Sequence, residues 1–325
     1  MPSLKSILVV GSTGAIGRDL SMALAEQRDS FPRIGVFHDI SRPTDSAKQN
    51  MLETFQASGL EVVRGNGYGS SEPFEGFDCV VICLGNHALH EQPEIIDSAI
   101  KAGVRHFYPS EYGADLLVGE NWSQRYYRYK VLTREHLEKR SQEVPDLGWT
   151  YFVLGRFTEW AVISHFGIDN KNSKARIYGT SAGRQSLLSV SDSIKYLIET
   201  LKDPLPDIGS EQGTTKGRRR TYRMHGHSPT YGEIFDIWER VTGKKYEVTY
   251  LDVEGATQER REAIREGDVD KELAASHKFI QGSEGTLLPK PWDNERFPWI
   301  QPQGLEEALS AAVKTESYRK FFELS

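Results

Sequence analysis

Gly11, Gly14 and Gly17 stand three residues apart directly after the apolar run 7–10, with Thr13, Ala15 and Ile16 among the residues between them. This pattern builds a seat for a pyrophosphate. The first glycine permits a tight turn, the second lets backbone approach the phosphates, and the third lets the following helix pack on the strand. Free N–H groups and the positive helix end then face the anion. The spacing is G-x-x-G-x-x-G, more typical of short-chain and reductase-like nucleotide binders than the G-x-G-x-x-G of dehydrogenases with a separate catalytic domain. A tight turn with no ligand is the plainer alternative. A strand before and a helix after, opening a βαβ unit, favour the nucleotide.

Tyr126 and Lys130 are four apart and share a face of the predicted helix 123–139. The ammonium would lower the phenol pKa and bind cofactor ribose. The phenol would donate a proton to an oxygen as hydride reaches the attached carbon. Ser110, in the stretch Tyr108-Pro109-Ser110-Glu111-Tyr112-Gly113, would orient that oxygen. A Tyr-x-x-x-Lys pair also occurs on ordinary surface helices. Its position after the fifth strand of a glycine-led unit is what favours chemistry.

The end of the second strand selects the nucleotide. An NAD site places a carboxylate there for the ribose diol. Here the place falls on His38, followed by Asp39, with Arg42 and Lys48 nearby. This cationic neighbourhood suits a 2′-phosphate, so NADP(H) is favoured over NAD(H). A register shift of one would promote Asp39. Gly85 and Asn86 follow strand four and are assigned to the cofactor cleft. His87 and His90 beside them lack metal-site spacing, and no metal is expected. His165 reads as a packed histidine. Phe157, Trp160 and Phe166 read as core, placed where a pocket roof could form.

The elements that must position these groups follow from periodicity. Apolar strands at 7–10, 33–37, 60–64, 79–84, 104–108 and 149–154 alternate with helical patterns. That alternation predicts an α/β fold, a Rossmann-type doubly wound parallel sheet. After Gly155 the rhythm changes: 160–166 reads as a helix, 175–178 and 185–190 as short strands, and Ser191 as a helix cap. Thr221–224 reads as a strand returning to the main sheet. Thr230 and Glu233 form a capping box for a helix stopped by Gly243. The resulting division is a dinucleotide-binding domain over 1–156, rejoined by about 187–225. A smaller, discontinuous α+β substrate domain takes 157–186 and 226–325.

The 325 residues are enough for one large and one smaller domain, and 38% hydrophobic with 26% charged residues is ordinary for a globular chain. A net charge of -6 gives no global attraction to nucleic acid or anionic membrane. The basic run 216–220 reads as a solvated loop. Cys79 and Cys83 cannot make a disulfide framework and read as small buried hydrophobes in a reduced compartment. No apolar run spans a bilayer, and a strand starting so near the N-terminus leaves no signal peptide. A cytosolic location is expected.

Taken together, these motifs resemble the NmrA-like and isoflavone reductase-like family of atypical short-chain dehydrogenases. The resemblance rests on the glycine turn, Pro109-Ser110-Glu111-Tyr112-Gly113, and Lys130 with Arg134 four later. Leu188-Ser189-Val190-Ser191-Asp192, the segment 231–245 and Pro298-Trp299-Ile300-Gln301-Pro302 extend it over nearly the whole chain. It implies an NADPH-binding domain and a small domain enclosing a phenolic or polyketide-like substrate. It also implies a catalytic lysine at Lys130 and a phosphate-side lysine at Lys48. His38 stands where the reductases carry a 2′-phosphate arginine, and Tyr126 is an addition. The expected function is NADPH-dependent reduction of a small aromatic, phenolic or conjugated carbonyl compound. A redox-sensing regulator, or an isomerase or cyclase on the same fold, is the alternative.

Overall fold

The computed structural model describes residues 3–209, 211–212, 215–216 and 218–324. They fall into two compact units. The first comprises Met1–Glu111, Tyr129–Phe152 and Ile194–Tyr222; the second comprises Tyr112–Arg128, Val153–Ser193 and Arg223–Ser325. The second unit therefore also takes the segment 112–128, which the sequence alone groups with the nucleotide-binding part.

The parallel sheet has the order β3-β2-β1-β4-β5-β6, formed by β1 Ser6–Val10, β2 Arg33–Asp39, β3 Glu61–Gly65, β4 Cys79–Ile82, β5 His106–Tyr108 and β6 Gly148–Val153. The strand Arg219–Arg223 adds beside β6, and the short strands Glu211–Gln212 and Thr215–Lys216 continue that edge. β1 and β4 are wholly buried, as strands covered on both faces must be. Helices α1 Ala15–Ala25, α2 Ser46–Ala57, α3 Gln92–Lys101 and α4 Arg128–Glu143 serve as crossovers. α3 places Ile95, Ile96, Ala99 and Ile100 into a core shared with Val80, Ile82, Phe107 and Trp149. This is the doubly wound arrangement that the strand–helix alternation predicts.

In the second unit, Glu247–Leu251 pairs in parallel with Lys174–Tyr178, which pairs antiparallel with Ile168–Asp169. Trp238, on the helix Tyr231–Thr242, is fully buried among Ile177, Leu309 and Phe322. Its indole N–H donates to Asn170 Oδ1 at 2.9 Å, and Asn170 donates to the carbonyls of Val162 and Phe322. The buried indole polar atom is thus satisfied, as burial requires. The capping box at Thr230 and Glu233 and the left-handed Gly243 form as expected.

Three local expectations are corrected. Residues 123–127 are not part of the long helix. Extended backbone at Gln124 (ψ 136°) separates two short 3-10 turns, Asn121–Ser123 and Arg125–Tyr127, and the helix begins at Arg128. Residues 160–166 likewise form two 3-10 turns, broken by extended Ile163. The helix Val190–Lys202 is capped by Ser189, whose Oγ accepts the Asp192 N–H at 3.0 Å, and not by Ser191.

Candidate active site

Gly11 adopts φ +81°, and a Cβ there would lie 2.6 Å from the carbonyl oxygen of Cys83. A Cβ on Gly17 would run into the Gly11 carbonyl oxygen. Both positions therefore require glycine on packing grounds. Gly14 is the N-cap of α1 and supplies no side-chain cap, while its own N–H closes the turn onto Gly11 O at 3.0 Å. Thr13, Gly14 and Ala15 are exposed along the crest; Ile16 and Gly17 are buried beneath it. The crest carries no acidic residue in the first helical turn. Ser12, 1% exposed, has a hydroxyl with no hydrogen-bond partner. An uncapped helix start and an orphaned hydroxyl fit a bound pyrophosphate.

Because the six strands run parallel, their carboxyl ends share one edge, where open α/β sheets bind ligands. Gly11 meets Cys83 there, at the end of β4. Ser110, at the end of β5, donates its hydroxyl to the Leu84 carbonyl at 2.8 Å, and its N–H donates to Gln92 Oε1 at 2.7 Å. Gln92, fully buried at the start of α3, also donates to Thr133 on α4 at 3.2 Å. Ser110 thus ties adjacent strand ends together. Gly85 is exposed and Asn86 half-buried just beyond this tie.

Lys130 lies on α4 and is 6% exposed. Its Nζ donates to the backbone carbonyl of Glu111 at 3.0 Å. The Glu111 carboxylate, 1% exposed, is held in two bonds by Arg134, at 2.7 Å from Nε and 3.0 Å from Nη2. The guanidinium also covers the Tyr151 ring at 4.2 Å. Burial is the main cause that brings the Lys130 pKa down to about 8; Glu111 pushes it up and Arg134 down. An ammonium in this state gives up and regains a proton near neutral pH.

At the end of β2 the expected residues divide. Asp39 accepts from Ser41 N, Ser41 Oγ and Gly67 N, and lies 2.8 Å from Arg42 Nε. Arg42 also pairs with Glu91 at 2.7 Å. These bonds occupy Asp39 in shaping its loop and commit Arg42 to two carboxylates. His38 is buried, with no partner at Nδ1. Burial lowers its pKa first, then the positive charges of Lys48 and Arg64. Lys48, half-buried on the first turn of α2, makes no ion pair among the described residues.

Tyr126 belongs to the second unit. It sits in a 3-10 turn outside α4, so the single helix face expected for it and Lys130 does not form. Its N–H donates to Ser276 Oγ at 3.1 Å, and its ring stacks on His277 with centroids 4.0 Å apart. Sequence reasoning missed Gln92 and the Glu111 carboxylate as the partner of Arg134. Gln92 left one signal, an amide immediately before the helix-opening Pro93. Among the described residues no group of His, Cys, Asp or Glu could hold a metal ion, and no helix is long and apolar enough to cross a membrane.

Residues 3–281 match the NmrA-like family. The chain belongs to that family. Across its length it is similar to the isoflavone reductase homolog IRL of Zea mays, with 25% identity over 95% of this chain and 99% of that protein. Its fold is similar to that of AtPrR2 with NADP+ and (+)pinoresinol, with a TM-score of 0.75 at 20% identity over 96% of this chain and 99% of the other. It is also similar to the leucoanthocyanidin reductase–NADPH complex from Vitis vinifera, with a TM-score of 0.76 at 17% identity over 95% and 100% of the two chains.

Proposed function

We propose that this family member is an NADPH-dependent reductase of a small aromatic, phenolic or conjugated carbonyl compound, with Lys130 as its proton donor. The observation that carries the reading is the buried Lys130 ammonium on the Glu111 carbonyl, its pKa brought to about 8, in the unit that holds the glycine turn. A solvent-facing lysine would instead suit a binding regulator. Relatives named as reductases, and neighbours solved with NADP+ or NADPH, support the same direction.

The glycine turn would hold the pyrophosphate on the backbone N–H groups at the α1 start, and Lys48 beside His38 would meet the 2′-phosphate. When bound, NADPH supplies hydride. Lys130 would stabilise the oxygen that gains charge and pass it a proton. The Glu111–Arg134 pair keeps the Glu111 backbone in place and leaves the ammonium oriented by a neutral carbonyl. Ser110 and Gln92 fix the strand ends around which the reacting groups would gather.

The test is NADPH consumption at 340 nm against a panel of phenolic, quinone and conjugated carbonyl compounds. Turnover of at least one compound, lost in Lys130→Ala with coenzyme affinity retained, is the expected result. Turnover in Lys130→Ala within a factor of a few would remove Lys130 from the chemistry.

A further inference from the structure

His38, Lys48 and Arg64 gather at the carboxyl ends of β2 and β3. His38 and Arg64 are register partners on the two parallel strands, so their side chains leave the same face of the sheet. Lys48 stands in the first turn of α2, the crossover that joins those strands. The positive charges of Lys48 and Arg64 both bear on the His38 ring. His38 is 8% exposed, Lys48 half-buried and Arg64 exposed, so both permanent cations reach solvent around one buried ring. Burial first, and then those two charges, lower the His38 pKa, and no hydrogen-bond partner at Nδ1 holds a proton there. The ring is therefore neutral at neutral pH, and the cluster carries two charges.

The carboxylates nearby are spent elsewhere. Asp39 follows His38 and so leaves the opposite face of β2. It accepts from Ser41 and Gly67 and pairs with Arg42. The Arg42 guanidinium lies over Tyr68, whose ring packs on Phe37, the preceding residue on that opposite face. Arg42, the arginine closest to His38 in sequence, is thus committed away from this cluster. Asp45 accepts the Lys48 N–H as the cap of α2, and Glu61 on β3 is held by Arg33. Neither Lys48 nor Arg64 makes a side-chain ion pair among the described residues. Like charges held close repel, and an anion between them turns that repulsion into attraction. Two cations match one phosphate dianion. The guanidinium adds a two-point grip on phosphate oxygens that an ammonium cannot make.

We infer that Arg64, from β3, joins Lys48 in gripping the 2′-phosphate of NADP(H), and that its guanidinium is the main source of preference over NAD(H). The inference rests on the coenzyme reading of the proposed reductase and adds to it the residue that selects the coenzyme.

The experiment is calorimetric titration of NADP+ and of NAD+ into the full chain and its variants. Arg64→Ala should weaken NADP+ about tenfold or more and change NAD+ by no more than about twofold. Arg64→Lys should recover part of the loss, since it restores the charge without the fork. Arg64→Glu should remove the preference for NADP+ altogether, and the double variant Lys48→Ala/Arg64→Ala should bind the two coenzymes alike. Retained NAD+ binding and an unchanged circular dichroism spectrum show that each variant is folded; Arg64→Gln serves if Arg64→Ala is not. A wild-type chain that prefers NADP+ while the Arg64 variants keep that preference overturns this inference alone. Equal losses for both coenzymes also overturn it, by placing Arg64 away from the 2′-phosphate. A wild-type chain that binds neither coenzyme removes the coenzyme reading and this site with it.

Discussion

Two of the buried cations, Lys130 and Arg156, have different surroundings. Lys130 in the first unit is oriented by a backbone carbonyl next to a closed Glu111–Arg134 ion pair. Arg156 in the second unit is oriented by two amide oxygens and a carbonyl. Burial lowers both pKa values, to about 8 for Lys130 and about 10 for Arg156. The same physical cause therefore yields opposite capacities. Lys130 can exchange a proton near neutral pH, whereas Arg156 keeps its charge. Side-chain chemistry, more than burial, decides which of the two could give up a proton.

The sharpest way to break this contrast is Lys130→Ala, which should lower kcat by about 10²–10⁴-fold, the range of a positioned proton donor. Next comes the ion pair behind it. Glu111→Gln leaves Arg134 with an unbalanced buried contact and should cost about 3–5 kcal/mol of stability, read from the urea midpoint. An unchanged midpoint would show that the pair is dispensable. Lys48→Ala should weaken NADP+ about tenfold by calorimetry and leave NAD+ nearly unchanged, since only the former carries a 2′-phosphate for the ammonium to meet. Equal losses for both would place Lys48 elsewhere on the coenzyme. The pH profile sharpens the Lys130 side. The donor form is protonated, so kcat should be full below about pH 8 and fall as pH rises through that value. A rate that climbs through the same window would mark Lys130 as a base. The smallest effect is Tyr126→Phe, expected to change kcat by a factor of a few at most. Tyr126 lies outside the helix of Lys130 and stacks on His277.

The sheet and the glycine turn were legible because local rules fix them. Runs such as Ile7–Val10 must be buried on both faces, and Gly11 needs a positive φ that a side chain would resist. Lys130 was legible by its distance after β5. Its pairing with Tyr126 was not, because one extended residue, Gln124, breaks the helix that spacing alone would continue. The role of Asp39 was hidden for a similar reason. Its partners Ser41 and Gly67 come from separate loops, and only the folded chain brings them to one carboxylate. Arg156 gave no sequence signal, since Gln185 and Gln281 lie 29 and 125 residues away from it.

The most direct test of the central claim is calorimetric titration of NADPH into the purified full chain and into Gly17→Val. The account predicts saturable binding to the wild type, with NADP(H) tighter than NAD(H), and its loss in the variant whose side chain displaces the Gly11 turn. Absence of binding by either coenzyme to the wild-type chain would contradict it.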